Sequence, residues 1–172
     1  MAIAKDQALA RLEANRIVIR GLVDGVSAEQ AGWRPAPEAW SLLEVVCHLA
    51  DEEVEDFRTR LDLTLHQPGT AWPSIDPQGW VRDRAYAEQD LDEALARFSA
   101  ERDRSLAWLR GLAAPDWSAE NVHPVFGAMS AGSLLHAWLE HDLLHIRQLT
   151  ELQHHWLGEH AAPYDPGYAG DW

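Results

Sequence analysis

The sequence has little of what extracellular and nucleic-acid-binding proteins depend on. Among its 172 residues there is one cysteine, Cys47, which excludes an internal disulfide and favours a reducing compartment, the cytoplasm. Basic residues are also scarce, since 14 Lys and Arg stand against 28 Asp and Glu, giving a net charge of −14. Because a field of this sign repels phosphate backbones and anionic lipids, we expect neither nucleic acid nor a membrane as a partner.

Long apolar runs are missing as well. No stretch reaches the length of a membrane span, and residues 1–6 lead into a charged amphipathic segment without the apolar block of a signal peptide. The hydrophobic content of 47% is nevertheless typical of a folded globule. We therefore expect a single domain, residues 1–172, with a substantial buried core.

What the sequence does have is helical periodicity. Ser41 with Glu44, and Asp90 with Glu93, have the spacing of helix-capping boxes. No segment has the alternation and turn punctuation of paired strands. The predicted fold class is all-α, a four-helix bundle. Apolar residues at three- and four-residue steps place its helices at about Lys5–Val23, from Ser41 past Leu61, from Asp90 past Leu109, and from just after Ser130 to about Trp156.

The link between the second and third helices, His66 to Gln89, is long enough to return along the whole bundle. Each of these helices is roughly 35 Å long at 1.5 Å per residue, and an extended link of this length reaches about 80 Å. We therefore predict a long crossover, with helices two and three parallel in an up-down-down-up order. The shorter loop before the second helix lets helices one and two lie antiparallel.

Three histidines stand out against this arrangement. His141 and His145 are one helical turn apart, so both imidazoles point to the same place. His48, in the second helix, comes level with them only if helices two and four are antiparallel, as the predicted order requires. Buried imidazoles need partners, and three neutral imidazoles with an open coordination position are typical of a transition-metal site. The pair shares the apolar stripe of the fourth helix with Leu134, Trp138, Leu149 and Leu152.

Two motifs resemble those of the DinB-like superfamily. Residues 40–53, WSLLEVVCHLADEE, are similar to its W-S-x-x-E-x-x-x-H-L-x-D-x-E signature, and residues 141–148, HDLLHIRQ, to its H-x-x-x-H-x-x-Q signature. The resemblance extends over nearly the whole chain, although about residues 66–128 carry no matching motif. It implies a metal-binding four-helix bundle with up-down-down-up topology. It also implies that one divalent ion, nickel, zinc or iron, is bound by His48, His141 and His145.

Residues close to these histidines each have a structural and a functional interpretation. Glu52, one turn after His48, can orient an imidazole, act as the catalytic proton acceptor, or belong to an exposed acidic face. The family motif favours a structural role for Asp51. Gln148 either hydrogen-bonds a ligand or makes a plain contact between helices. Cys47 points about 100° away from His48 around the helix, and we predict a small buried hydrophobe rather than a nucleophile.

The remaining histidines and the aromatic residues complete the candidates. We predict His66 and His123 at the opposite end of the bundle. The cluster of His154, His155 and His160 is predicted to be a solvated helix end rather than a metal-binding tract. We expect most of the aromatic residues near the metal to serve packing and one or two to line a pocket. Six of them map to that end: Trp33, Trp40, Trp80, Tyr164, Tyr168 and Trp172.

Three function classes remain open. The first is a metal-dependent enzyme, for which the resemblance implies thiol chemistry: a thiol S-transferase acting on small electrophiles. On its position alone, Glu52 is the candidate proton acceptor. The second is a non-catalytic protein of the stress response that binds a metal or a small ligand. The third, a bundle whose histidines form only a polar network, is least favoured because three buried imidazoles rarely satisfy one another without a cation.

Helix one carries more apolar residues than one face can bury. Ile17, Val18 and Ile19 follow one another, and a helix cannot turn three successive side chains toward the same core. Together with the frequent pairing that the family resemblance implies, this succession predicts a homodimer.

Overall fold

The computed structural model of the protein describes residues 4–170 and 172. A π-helical turn, Glu53–Arg58, joins the helices Leu42–Glu52 and Thr59–His66 into one long helix. This composite helix forms the bundle with the helices Lys5–Val23, Leu91–Gly111 and Ala131–Glu159. None of the helices in the described part of the chain is long and apolar enough to cross a membrane. In chain order the helices are α1 (Lys5–Val23), α2 (Ala28–Gly32), α3 (Leu42–Glu52), α4 (Thr59–His66), α5 (Pro77–Asp83), α6 (Leu91–Gly111) and α7 (Ala131–Glu159).

Side chains fix where two of the bundle helices begin. The hydroxyl of Ser41 accepts a hydrogen bond from the backbone N–H of Glu44 at 3.3 Å, and the carboxylate of Glu44 accepts one from the N–H of Ser41 at 2.8 Å. Asp90 accepts from the N–H of Glu93 at 3.0 Å at the start of α6. These caps satisfy N–H groups that have no partner inside the helix, and the predicted starts of the second and third bundle helices are confirmed.

Helices α1 and α7 lie side by side and run in the same direction. Asn15 donates to Asp142 at 3.1 Å, and further along both helices Gln153 donates to the carbonyl oxygen of Leu22. Sequence number rises together in the two pairs, so the neighbouring helices are parallel. These are the first and last helices of the bundle.

The composite second helix and α6 are parallel as well. Asp51 pairs with Arg97, and further along Arg58 donates to the carboxylate of Glu101 at 2.7 Å. Consecutive parallel helices need a connection that returns along the bundle, and residues 67–90 supply it, with α5 and a 3₁₀ turn at Tyr86–Glu88 on the way. The predicted four-helix bundle with up-down-down-up order and a long crossover is confirmed.

The prediction that no strands pair is wrong at one place. Strands β1 (Glu120–His123) and β2 (Gly127–Ser130) form an antiparallel hairpin before α7. Gly127, with a φ of 74°, closes its turn in a backbone conformation that glycine adopts readily. In β1 the buried position is the polar Asn121 while Val122 is exposed. The apolar alternation that marks a strand in a sequence is therefore missing.

The second helix is the centre of the bundle. From Ser41 to Glu53, thirteen consecutive residues are buried, so α3 is enclosed on every side. The π-helical turn follows at once, and at its end Thr59, the first residue of α4, donates its hydroxyl to the carbonyl of Val54, five residues back, at 2.6 Å. Such turns widen a helix locally and often lie at functional sites. The sequence predicts an uninterrupted helix here, because the pattern of apolar residues does not reveal one extra residue in a turn.

Candidate metal centre

The three histidines that the sequence singles out come together where α3 faces α7. His48 Nε2 lies 3.3 Å from His141 Nε2, and His145 Nε2 lies 3.1 Å from the same atom. His141 and His145 are neighbours on one face of α7, and His48 meets them because α3 and α7 are antiparallel. Over residues 4–170 and 172, these three form the one group of His, Cys, Asp or Glu side chains positioned to hold a metal ion.

Hydrogen bonding among the described residues does not satisfy this cluster. His145 donates its Nδ1–H to Oε1 of Gln148 at 2.8 Å, which leaves the Nε2 of His145 as a lone-pair acceptor facing His141. His48 Nδ1 is buried without a hydrogen-bond partner among the described residues. Two imidazole nitrogens bound to one tetrahedral ion at 2.0–2.1 Å lie about 3.4 Å apart, close to the separations seen here. The donor set fits a transition metal.

Burial keeps these imidazoles neutral. Desolvation, reinforced by the charge that His145 would carry, lowers the pKa of His48 to about 3, and desolvation with the same neighbour lowers the pKa of His141 to about 2. Burial also lowers the pKa of His145, against the hydrogen bond to Gln148, which favours the protonated form. Neutral imidazole is the form that binds a metal, so the three side chains are ready to bind at neutral pH.

Glu52 lies behind His48. Its Oε1 is 3.9 Å from His48 Nδ1, and neither atom has a hydrogen-bond partner in the described part of the chain. Burial, together with the charge of Asp56, raises the pKa of Glu52 to about 9. The interpretation as an exposed acidic face is wrong, because Glu52 is buried. A carboxyl group in this position is suited to orienting a ligating imidazole, and its role as proton acceptor stays a prediction.

A cavity of about 500 Å³ opens onto two of the three histidines, and we call it the metal cavity. His48 and His145 lie in its wall, and the indole ring of Trp40 stands 4.9 Å from the His48 ring, between centroids. A small molecule in this cavity can therefore reach a metal bound by the histidines. The rest of the wall comes from Pro35, Glu38, Ala39, Gln78, Gln148, Glu151, Leu152 and His155.

The aromatic residues predicted at this end of the bundle lie in different surroundings. Trp40 lines the metal cavity, Trp80 is buried in the core, and Trp33 packs edge to face against Trp156 of α7 at 5.7 Å. Trp172 stacks on His154 of α7, 4.4 Å between ring centroids, but the described part of the tail beyond α7 contributes no residue to the wall of the metal cavity, and the expectation of packing or a pocket wall is wrong for Tyr164 and Tyr168 in this tail. Its three aromatic side chains are exposed: Tyr164, Tyr168 and Trp172.

Two neighbours of His48 are structural. Asp51 accepts hydrogen bonds from Arg84 at 2.7 Å and from the hydroxyl of Tyr86 at 2.5 Å, and so holds the crossover against the bundle. Cys47 is fully buried, and desolvation raises the pKa of its thiol to about 11. A thiol of that kind is a poor nucleophile at neutral pH. Both interpretations made from the sequence are confirmed.

The other histidines stay outside the cluster. His66 contacts Asp62 on its own helix at 3.0 Å, and His123 lies in the hairpin beside the ring of Trp72, 5.9 Å away between centroids. The predicted solvated helix end is confirmed, since its three histidines are exposed: His154, His155 and His160.

A second buried polar cluster adjoins the histidines, and the sequence did not lead to it. Arg102 donates to Glu53 at 2.7 and 2.9 Å and to both oxygens of Asp142 at 2.8 Å. Trp138 donates to Glu53 at 3.1 Å, and Asn15 donates to Asp142 at 3.1 Å. We call these five residues the Arg102 network.

A signal for this network is present in the sequence. Arg102 stands four residues from Phe98 and four from Leu106, in the middle of the apolar stripe of α6. A charged residue on such a stripe must be paired if the stripe faces the core. Glu53, four residues after Leu49, occupies the same kind of position on the second helix. An arginine and a glutamate on two facing apolar stripes predict a buried ion pair.

The family model described as the DinB superfamily matches residues 11–149, a range that includes all three histidines. The chain belongs to the DinB superfamily. A comparison with curated proteins gives no match.

Solved structures share the fold of this DinB-superfamily protein. YfiT from Bacillus subtilis, described as a probable metal-dependent hydrolase with an unusual four-helix bundle topology, aligns with a TM-score of 0.79 and 24% identity over 89% of each chain. The mycothiol-dependent maleylpyruvate isomerase aligns with a TM-score of 0.70 and 12% identity, over 86% of this chain and 61% of its own. A point mutant of that isomerase gives 0.69 and 14%. At identities this low, the structural alignments show a common fold and no more, and activity has to be argued from the site.

Proposed function

We propose that this protein is a metal-dependent enzyme that joins a small-molecule thiol to an electrophile. His48, His141 and His145 bind one divalent transition ion, for which nickel, zinc and iron suit imidazole ligands. The observation that carries the proposal is the convergence of three imidazole nitrogens beside a cavity of about 500 Å³, with His48 and His145 in its wall. A metal held only for structure would have no need of such a cavity.

The residues around the metal cavity have different proposed roles. A divalent ion at this site supplies a Lewis-acidic position that lowers the pKa of a thiol bound there. Gln148 fixes the tautomer of His145, so that Nε2 keeps its lone pair toward the other two histidines. The indole of Trp40 provides an apolar wall on which an electrophile can pack. The fold shared with a mycothiol-dependent isomerase supports a thiol as substrate.

Glu52 is proposed as the group that orients His48 or as proton acceptor, the second role requiring the positive charge of a bound ion to favour its ionised form. Two variants separate these roles. Glu52→Gln keeps the shape and can still contact His48 Nδ1, but it cannot take up a proton. A proton acceptor predicts a large fall in kcat for Glu52→Gln at unchanged metal content. An orienting group predicts a near-normal kcat for Glu52→Gln and weaker metal binding for Glu52→Ala.

The metal and the activity are tested on protein prepared without a histidine tag. Elemental analysis should find close to one ion per chain in wild type and in the control His66→Ala, and almost none in His145→Ala. Consumption of bacillithiol, mycothiol, glutathione or cysteine with a haloarene or an epoxide should be faster for metal-loaded wild type than for His145→Ala. Equal rates for every thiol would overturn the transferase and favour the non-catalytic stress-response protein that binds a metal or small ligand.

Hydrolysis is a second candidate, favoured by the alignment with YfiT, a probable metal-dependent hydrolase. The metal cavity can admit water as readily as a thiol, and the Lewis-acidic position serves either nucleophile. Cleavage of esters and amides in the absence of thiol, lost in His145→Ala, would identify this reaction. Dependence of turnover on added thiol would identify the transfer.

We also propose that the protein pairs as a homodimer through the outer faces of α1 and α7. Ile19 is fully buried whereas Ile17 and Val18 beside it are exposed, and on the adjacent helix Leu143 and Leu144 are exposed as well. Light scattering should then give about 39 kDa, twice the chain mass of 19.3 kDa. Ile17→Glu should reduce it to the mass of one chain. A monomer of the wild type at micromolar concentration would overturn the proposal.

A further inference from the structure

A second cavity, of about 630 Å³, lies where the crossover and the hairpin meet the second bundle helix. We call it the crossover cavity. Asp56 and Arg60 contribute from the helix, residues 71–75 and Pro77 from the crossover, and residues 122–124 from the hairpin. None of the three histidines of the metal centre is part of its wall, so it is separate from the metal cavity.

The walls of the crossover cavity are held in place by the chain itself. Trp72 donates its indole N–H to the hydroxyl of Thr64 at 3.2 Å, which fixes the crossover on α4. Asn121 donates its side-chain amide to the carbonyl of Thr70 at 2.5 Å, which ties the hairpin to the crossover. The volume is within the range of about 300–1,000 Å³ that small-molecule sites occupy. The cavity is therefore preformed and large enough for a ligand.

One charged group in this wall has fewer partners than it needs. Arg60 is only 9% exposed, and its guanidinium lies 5.2 Å over the ring of Trp72. Its Nε is 3.0 Å from Asp56 but makes no hydrogen bond, and within the described residues no acceptor meets its two terminal nitrogens. A guanidinium carries five N–H donors, and a buried donor without an acceptor is unfavourable. Arg102, which is fully buried, has an acceptor for each of its five.

We propose that the crossover cavity binds a small monocarboxylate with an apolar or aromatic body, its carboxylate on the free edge of Arg60. The planar fork of a guanidinium matches a carboxylate through two parallel hydrogen bonds. The body of the ligand packs on Trp72, Ile75 and Val122, which supply the apolar part of the wall. A phosphate is disfavoured, because Asp56 already lies beside Arg60 and a second negative charge on the ligand would be repelled.

Calorimetric titration of the metal-free, full-length protein tests this site with phenylacetate and indole-3-acetate as probes. Phenylacetamide, which has nearly the shape of phenylacetate without its charge, is the matched ligand control. We expect saturable binding of one acid per chain, at least tenfold weaker binding of the amide, and at least tenfold weaker binding of the acid to Arg60→Gln. Arg82→Gln removes the same charge from an exposed arginine and should leave the Kd unchanged.

Several results would overturn the proposal. It is wrong if neither acid binds up to millimolar concentration, if acid and amide bind equally, or if Arg60→Gln binds as wild type does. The amide comparison uses unmodified protein, so it holds even if Arg60→Gln folds poorly. His145→Ala should keep the wild-type Kd for phenylacetate, because His145 belongs to the other cavity. A failure at the crossover cavity therefore leaves the proposed metal-dependent activity untouched, and the reverse also holds.

Discussion

Two buried polar clusters adjoin each other in this bundle, and they differ in whether their hydrogen-bond donors and acceptors are paired. In the Arg102 network every N–H of Arg102 has an acceptor, provided by Glu53, Asp142 and the carbonyl of Leu12. In the histidine cluster imidazole nitrogens face one another, and His48 Nδ1 has no partner in the described part of the chain. The two clusters even use adjacent residues, since Asp142 follows His141.

This difference in pairing indicates which cluster stabilises the fold and which one binds a ligand. A buried network whose donors and acceptors all match is complete without help and holds helices together. A buried cluster with lone pairs turned toward each other is unfavourable in the isolated chain, and a bound cation removes that cost. The first kind should respond to loss of a partner with unfolding, and the second with loss of a ligand.

Removing the charge of Arg102 from the Arg102 network has the largest expected effect on stability. Arg102→Met leaves Glu53 and Asp142 buried without their cation, and we expect the free energy of unfolding to fall by about 3–5 kcal/mol. Urea unfolding followed by circular dichroism measures the change. Arg104→Met, on the exposed side of the same helix, should alter stability by less than about 0.5 kcal/mol. Equal effects of the two variants would show that the network is not structural.

Metal binding to the histidine cluster has the next largest expected effect on stability. Nickel or zinc at a thousand times its Kd should raise the free energy of unfolding of the wild type by about 4 kcal/mol, and a chelator should reverse the gain. His141→Ala should show no such shift, whereas His66→Ala should show all of it. If His141→Ala were stabilised by metal as strongly as the wild type, the ion would have to bind elsewhere.

The raised pKa of Glu52, beside the histidine cluster, makes the stability of the metal-free protein depend on pH. In the metal-free protein the pKa of Glu52 is raised to about 9, so between its ordinary value and pH 9 the unfolded chain releases a proton that the folded chain keeps. The stability that Glu52 contributes is thus complete below about pH 4.5 and is lost as the pH rises toward 9. Glu52→Gln cannot titrate, and its stability relative to wild type should rise with pH, by at most about 1.4 kcal/mol per unit.

Urea unfolding at pH 5.5 and pH 8 measures this relative stability. Glu140→Gln, an exposed glutamate on α7, is the matched control and should run parallel to wild type. A Glu52→Gln profile parallel to wild type would contradict the raised pKa.

The smallest expected effect concerns the hydrogen bond that orients His145. Gln148→Ala removes the acceptor of His145 Nδ1–H, and loss of such an outer partner typically weakens metal binding by about 10- to 100-fold. We expect the lower figure, measured by competition with a chromogenic chelator. Gln78→Ala, in the wall of the same cavity, should bind metal as the wild type does. No difference between the two variants would reduce Gln148 to a plain helix contact.

The parts of this structure that depend on local spacing could be predicted from the sequence. The cap of Ser41 and Glu44 involves residues three apart, and the face shared by His141 and His145 follows from helical geometry. His48 needed only the relative direction of two helices, which the length of the crossover supplied.

The parts that depend on packing could not be predicted. The π-helical turn at Glu53–Arg58 changes the helix face on which the residues after it lie, and periodicity does not encode it. The hairpin lacks alternation because it is mostly exposed. The crossover cavity brings together Arg60, Trp72 and His123, and no local pattern links residues so far apart in the sequence.

The complete enclosure of residues 41–53 has a consequence for how the protein can change over generations. An ordinary surface helix has an outer side on which substitutions are nearly neutral, but this segment has no such side. Every replacement there alters a packed contact, so we expect most substitutions in this segment to destabilise the protein. We therefore expect residues 41–53 to tolerate fewer substitutions than the exposed helix faces of this chain.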